Sequence, residues 1–196
     1  MARLRVASRG VTKTQYFTAT TLDGFIADEQ NSLDWLFVVD RGPDPGSEFE
    51  EFMADVGAMA MGATTYEWIL ANHGPHEDPE KWRADYGEQP CWVFTHRDLP
   101  AIPGASLTFV QGDVGPVHAQ MTEAAAGRNI WLVGGGDLVG QFADRGLLDE
   151  IRVGIAPVTL GAGAPLLPRR LTSTELELVE VERYGQFARL VYRVRT

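Results

Sequence analysis

Three places in the 196-residue sequence bring glycine, hydroxyl and basic residues to the end of an apolar run, where a chain can meet an anion. In NIWLVGGGDLVGQFADRG, Gly134, Gly135 and Gly136 close an apolar run and open an amphipathic segment. Glycine lets the backbone come close to a ligand, and the helix that follows offers unpaired N–H groups and a partial positive charge. Alone, such a triplet reads first as a tight strand-to-helix turn. A second junction, MGATTYE, puts Gly62 at a strand end and Thr64 and Thr65 in the first helical turn, although threonine is also an ordinary cap there. A third, VFTHR, ends a β-run with Thr95, His96 and Arg97, a hydroxyl followed by two groups able to donate to phosphate. An arginine on a loop is equally an ordinary surface charge. Two glycine-led helix starts in one small domain favour a ligand with two phosphates.

Spacing excludes the common dinucleotide fingerprint. After Gly134 and Gly136 the third glycine of G-x-G-x-x-G falls due at Val139, and the region about 20 residues downstream, where a ribose-binding acid belongs, holds Ile155 and Ala156. Asp23, in LDG, can orient a water or a substrate, and Asp before Gly is also a common turn residue. Trp35 and Trp68 can wall a flat substrate or fill core, and Leu22, next to Asp23, is a further candidate substrate contact. His73, His76, His96 and His118 show no metal-ligand spacing with a carboxylate cluster, so no metal site is expected.

These residues need elements to hold them. Gln15 to Thr21 is β-rich, breaks at Leu22-Asp23-Gly24 and resumes with Phe25 and Ile26. SEFEEFMADVGAM reads as a helix, with Ser47 and Glu50 at capping-box spacing and Phe49, Phe52, Met53 and Val56 at helical intervals. AMAMG reads as a short buried strand ending at Gly62, and ATTYEWILANHG as a helix with Tyr66, Ile69 and Leu70 inward and Gly74 at its end. Strands CWVFTH and SLTFV follow, then a helix from Pro116 to Ala126 closed by Gly127, then NIWLV. Beyond Asp149, EIRVGIAPV, ELELVEVE and FARLVYRVR alternate as strands with one wet face, the last two forming a hairpin around Tyr184-Gly185-Gln186. RGPDPGS and the Pro- and Gly-rich residues 72–90 read as surface loops. The order predicts a single α/β domain whose mixed sheet is mostly parallel, ends in antiparallel C-terminal strands and is flanked by helices.

Composition narrows the function. A chain of 44% hydrophobic and 22% charged residues suits one compact domain over residues 15–196, with residues 1–14 as a flexible leader. A net charge of −10 and a pI near 4.8 give no electrostatic footprint for nucleic acid, and no apolar run is long enough to span a bilayer. The single cysteine, Cys91, excludes an internal disulfide and a multi-cysteine zinc site. The mildly basic first residues lack the apolar core of a secretory signal, and a cytoplasmic protein is expected.

TATTLDGFIAD, MGATTYE, VFTHR, LVGGGDL and GLLDEIRVGIAPVTLGAGAPLL, in this order and spacing, resemble the dihydrofolate reductase-like superfamily. The branch most similar to them is the one related to the reductase domain of bacterial riboflavin-biosynthesis deaminase-reductases, and the likeness runs from about Gln15 to Arg195. The resemblance implies an NADPH-dependent reductase that transfers hydride to a C=N or C=O carbon of a small heterocycle or ribosylamine, either riboflavin-precursor-like or pterin-like. It implies that Ala19, Ile26 and Ala27 flank the nicotinamide. Gly62, Ala63, Thr64 and Thr65, with Val133 to Leu138 (Gly134, Gly135, Gly136 and Asp137 between), would hold the pyrophosphate. Thr95, His96 and Arg97 would lie beside the adenosine 2′-phosphate. Laid over the dihydrofolate reductase segment that runs from a loop tryptophan to the catalytic acid, NSLDWLFVVD puts Trp35 and Asp40 at those two positions. An acid deep in an apolar pocket would have a raised pKa and could protonate substrate; otherwise Asp40 simply begins the following loop.

Two departures stand out. Ala63 occupies the place of an arginine in the family's Gly-Arg-x-Thr, so NADH is not excluded. Gly134 occupies the place of a substrate-contacting glutamate in riboflavin-pathway reductases, which counts against that precursor. The deaminase signature H-x-E with P-C-x-x-C is missing. The resemblance also implies a homodimer, and the alternative to a reductase is a non-catalytic nucleotide-binding or structural dimer that kept the fold.

Overall fold

The computed structural model describes residues 11–42, 47–74 and 78–195. The chain runs β1 (Thr14–Thr21), β2 (Phe25–Ala27), α1 (Asp34–Phe37), α2 (Ser47–Ala54), β3 (Val56–Gly62), α3 (Ala63–His73), α4 (Pro79–Tyr86) and β4 (Cys91–Phe94). It continues with β5 (Leu107–Val110), α5 (Val114–Ala125), β6 (Asn129–Gly134), α6 (Gly136–Asp144), β7 (Glu150–Ala156), β8 (Ala164–Pro165), β9 (Leu176–Tyr184) and β10 (Phe187–Val194). Eight strands form one sheet in the order β5-β4-β3-β6-β1-β7-β10-β9. Every pair from β5 to β7 is parallel, whereas β10 is antiparallel to both β7 and β9. This is the mixed sheet expected from the sequence.

Burial explains the central strands. In β3, Ala58 and Ala60 face one core with α5 and α6, while Val56, Met59 and Met61 face the other with α2, α3 and α4. A strand covered on both faces reads as a continuous apolar run. Val56, at 0% exposure, is therefore a strand residue and not the last turn of α2, because pairing with β6 outweighs its fit to the helical stripe. The predicted capping box rests on Ser47, whose side chain lies outside the described residues.

Residues 79–86 form a helix where a loop was predicted. Its cues are local: the Asp78 side chain accepts the Glu80 N–H, and Pro79 takes the first helical position. Trp82 is 3% exposed and packs on Tyr86 with centroids 4.7 Å apart, so tertiary burial makes this short helix stable. The helix predicted from Pro116 starts at Val114 instead, because Asp113 caps it by accepting the Gly115 N–H at 2.8 Å. The expected leader is engaged from Lys13 onward: the Lys13 carbonyl accepts the Ile130 N–H, and β1 begins at Thr14. Residues 1–10 lie outside the described part. No described helix is long and apolar enough to cross a membrane.

Candidate functional site

The strand ends of β3 and β6 are neighbours, with Met61 paired to Gly134, so the two glycine-led helix starts lie side by side. Gly62 caps α3 and Gly135 caps α6, both in extended conformation, and neither helix start receives a side-chain cap. First-turn N–H groups without a cap need another acceptor. The three glycines differ in what they do. A Cβ on Gly135 would meet nothing within 4 Å, whereas one on Gly136 would lie 2.3 Å from the Pro165 carbonyl oxygen and 2.4 Å from that of Leu166. Gly134 is joined to Gly135 by a cis peptide, and a Cβ on it would lie 3.2 Å from the Thr65 hydroxyl. One glycine thus faces open space and another is needed for close packing on the segment around β8.

Three cavities follow one another along this edge. The outer cavity, of about 290 Å³, is lined by Gly62, Ala63, Thr64, Thr65, Thr95, His96, Gly135, Asp137 and Leu138, with Phe94, Gln111, Gly112 and Gln141. The middle cavity, of about 310 Å³, shares Thr64, Thr65, Gly135 and Asp137 with it and adds Ile26, Ala27, Trp68, Gly134 and Gly136. The inner cavity, also about 310 Å³, shares Thr18 and Val133 with the middle one and contains Ala19. Most of the residues singled out in the sequence are brought together here, at the carboxyl ends of the parallel strands, where ligands bind in open α/β sheets. Trp68 is among them, lining the middle cavity.

The third junction is only partly in place. Thr95 and His96 line the outer cavity, and His96 Nδ1 is 3.0 Å from Gln111 Oε1. Arg97 does not line it; its guanidinium pairs with Glu67 of α3 at 2.8 Å. Asp137 turns its carboxylate to Arg169 at 3.1 Å and to Gln141 at 3.1 Å.

Four expectations need correction. Asp23 is exposed, and its carboxylate accepts the Thr21 hydroxyl and the N–H groups of Gly161 at 2.7 Å and Leu160 at 3.0 Å. The Thr21 hydrogen bond, and then that of Gly161, hold its carboxyl below the ordinary range, so it is a poor proton donor. Asp40 is exposed and its carboxylate accepts the Gly42 N–H at 2.8 Å within a turn, so it is not an acid in an apolar pocket. Trp35 is 9% exposed in a separate core with Ala156 and Phe187 and lines none of the three cavities. Leu22 is 69% exposed at the turn tip and also lies outside them.

The inner cavity contains groups that the sequence alone did not single out. Phe17, Phe49, Tyr86, Trp131 and Phe187 give it aromatic walls, and Arg41, Arg152, Arg189 and Glu48 give it charge. Burial pushes the Tyr86 phenol well up, so it stays protonated. Glu48 is the carboxylate in the lining, and its Oε1 pairs with Arg189 Nη1 at 2.8 Å. Arg189 is further held by Glu180 at 2.5 Å and by Glu182. Among the described residues, no group of three or more His, Cys, Asp or Glu side chains is placed to hold a metal ion.

A parallel-centred sheet with an antiparallel C-terminal hairpin, carrying paired glycine-led helix starts at its strand ends, defines a dihydrofolate reductase-like domain. Residues 12–189 match the RibD C-terminal domain, and the chain belongs to that family. It is 31% identical over 182 residues to the uncharacterized YwjB protein of Bacillus subtilis, covering 92% of this chain and 97% of YwjB. A protein of Shewanella sp. PV-4 provisionally assigned to riboflavin biosynthesis superposes with a TM-score of 0.76 at 23% identity, over 94% of this chain and 100% of that one. The dihydrofolate reductase of Enterococcus faecalis, solved with NADP(H), superposes with a TM-score of 0.61 at 11% identity, over 94% of this chain and 97% of that one.

Proposed function

We propose that this protein is an NADPH-dependent reductase that reduces a C=N or C=O carbon in a small heterocyclic or ribosylamine substrate. The observation that carries the reading is the pair of uncapped helix starts at Gly62 and Gly135, side by side over the shared lining of the outer and middle cavities. These residues fit a dinucleotide: backbone N–H groups and the hydroxyls of Thr64 and Thr65 suit a pyrophosphate, and Thr95 and His96 suit the adenosine end. Ile26 and Ala27 would flank the nicotinamide from the middle cavity, and Ala19 from the inner one. When bound, a reduced nicotinamide supplies the hydride, and the protein supplies orientation.

The substrate would occupy the inner cavity. Aromatic walls favour a flat ring, and Glu48, held by Arg189, would accept an N–H or O–H from it through its remaining acceptor capacity and fix its orientation. Because Arg97 is engaged by Glu67 and Ala63 has no cation, discrimination between NADPH and NADH would be small. The exposed Leu178, Val179 and Val181 of the edge strand β9 support the homodimer, with β9 at the contact.

Titration with NADPH and NADH, followed by nicotinamide fluorescence, tests the reading. Saturable binding of either, together with oxidation of the cofactor by a heterocyclic substrate from a panel, is expected. Failure of both cofactors to bind would leave the non-catalytic dimer as the better account.

A further inference from the structure

The inner cavity holds a cation that hydride transfer by itself does not require. Arg152 of β7 lies opposite Phe17 of β1 in the sheet register and lines the cavity beside it. Its Nε donates to Glu150 Oε1 at 2.5 Å, and its two terminal nitrogens make no hydrogen bond among the described residues. Glu150 is a costly support. Its side chain is only 10% exposed, and it also accepts Gln15 Nε2 at 2.8 Å and Lys13 Nζ at 3.2 Å. A carboxylate this buried persists only with such partners, and together they fix its orientation.

A guanidinium held through Nε keeps two coplanar N–H donors on its outer edge, the arrangement that matches two oxygens of a carboxylate or a phosphate. The other cations of the cavity are differently placed. Arg189 is held by Glu48, Glu180 and Glu182, and the Arg41 guanidinium lies 5.9 Å from the centre of the Phe37 ring. We propose that Arg152, positioned by Glu150, anchors an oxyanion group of the substrate, a carboxylate or a phosphate, beside the aromatic walls of the inner cavity. The word substrate rests on the reductase reading; the anion site itself does not.

Quenching of tryptophan fluorescence, with Trp131 in the cavity wall, can follow four probes in the presence of saturating NADPH and again without it. Quinoline-2-carboxylate is compared with its carboxamide, and uridine 5′-monophosphate with uridine, so that the two arms separate a carboxylate from a phosphate. At least one anion is expected to bind about tenfold or more tightly than its neutral partner. Arg152→Gln should bring that ratio close to one, Arg152→Lys should keep part of it, and Glu150→Gln should lower it several-fold while NADPH affinity stays the same. Equal binding of anion and neutral partner in both arms, no binding of any probe, or a ratio that survives Arg152→Gln overturns the assignment. Should Arg152→Gln not fold, Arg152→Lys and Glu150→Gln decide: an unchanged ratio in both overturns it. Lack of NADPH binding with the anion preference intact would count against the reductase and not against Arg152.

Discussion

The Asp23 carboxylate accepts the backbone N–H of Gly161 at 2.7 Å and so ties the turn after β1 to the loop after β7. The Leu160 N–H adds a second bond at 3.0 Å, and the Leu22 N–H donates to the Val158 carbonyl at 2.7 Å. These contacts make the turn a clip between two neighbouring parallel strands. Phe25 and Ala27, just beyond it, pair with β8, where Pro165 packs under Gly136. The clip therefore braces the middle cavity without any need for proton transfer.

Asp23→Asn should lower Tm at neutral pH and leave the chemistry intact. The folded pKa of Asp23 lies below its ordinary value of 3.8, so the group adds stability above that value and loses it as pH falls through the folded one. The Tm gap between wild type and Asp23→Asn, followed by circular dichroism, should be full at pH 6 and shrink steadily below pH ~3.8. A gap that stays constant across this range would mean that charge is not what matters at this position.

Glu48→Gln keeps the size of the side chain and removes the charge that pairs with Arg189. Once a turnover assay is in hand, kcat should fall about tenfold or more, with the Kd for NADPH unchanged. Asp40→Asn, at an exposed turn, should leave both constants alone.

Gly136 and Gly62 give a paired test of packing. Gly136→Ala drives a Cβ to 2.3 Å from a backbone oxygen and should cost roughly 1–3 kcal/mol or more in denaturant unfolding. At Gly62 the nearest atom to a new Cβ would be 3.7 Å away, and the backbone is extended, so Gly62→Ala should unfold close to wild type.

Glu67→Gln should release Arg97 from its 2.8 Å ion pair. The freed guanidinium lies next to Thr95 and His96, and the preference for NADPH over NADH should rise roughly threefold to tenfold. Arg97→Ala in the otherwise unchanged protein should shift that preference by less than about twofold. Titration with both cofactors checks each value.

The junction residues were legible in the sequence because strand ends, helix starts and glycines are local signals. Gly62 to Thr65 and Gly134 to Gly136 meet at one edge. Residues 79–86 were missed because Pro- and Gly-rich flanks hid a short helix, although Asp78-Pro79-Glu80 carries both an N-cap and a first-turn proline. Trp35 and Trp68 look alike in sequence, yet one fills core and the other lines a cavity. Periodicity marks an aromatic as inward and says nothing about whether the space inside is filled.

The sequence by itself determined the α/β order, the antiparallel end of the sheet and the glycine-led junctions, since these depend on periodicity and backbone freedom within a few residues. Only the tertiary structure decided which charges face the cavity. Phe17, Arg152 and Val191 become one row through the register of β1, β7 and β10, and Arg189 meets Glu48 across the cavity that α2 borders. Register and docking are long-range choices, driven by burial of apolar faces contributed from distant parts of the chain, and no local run of residues contains them.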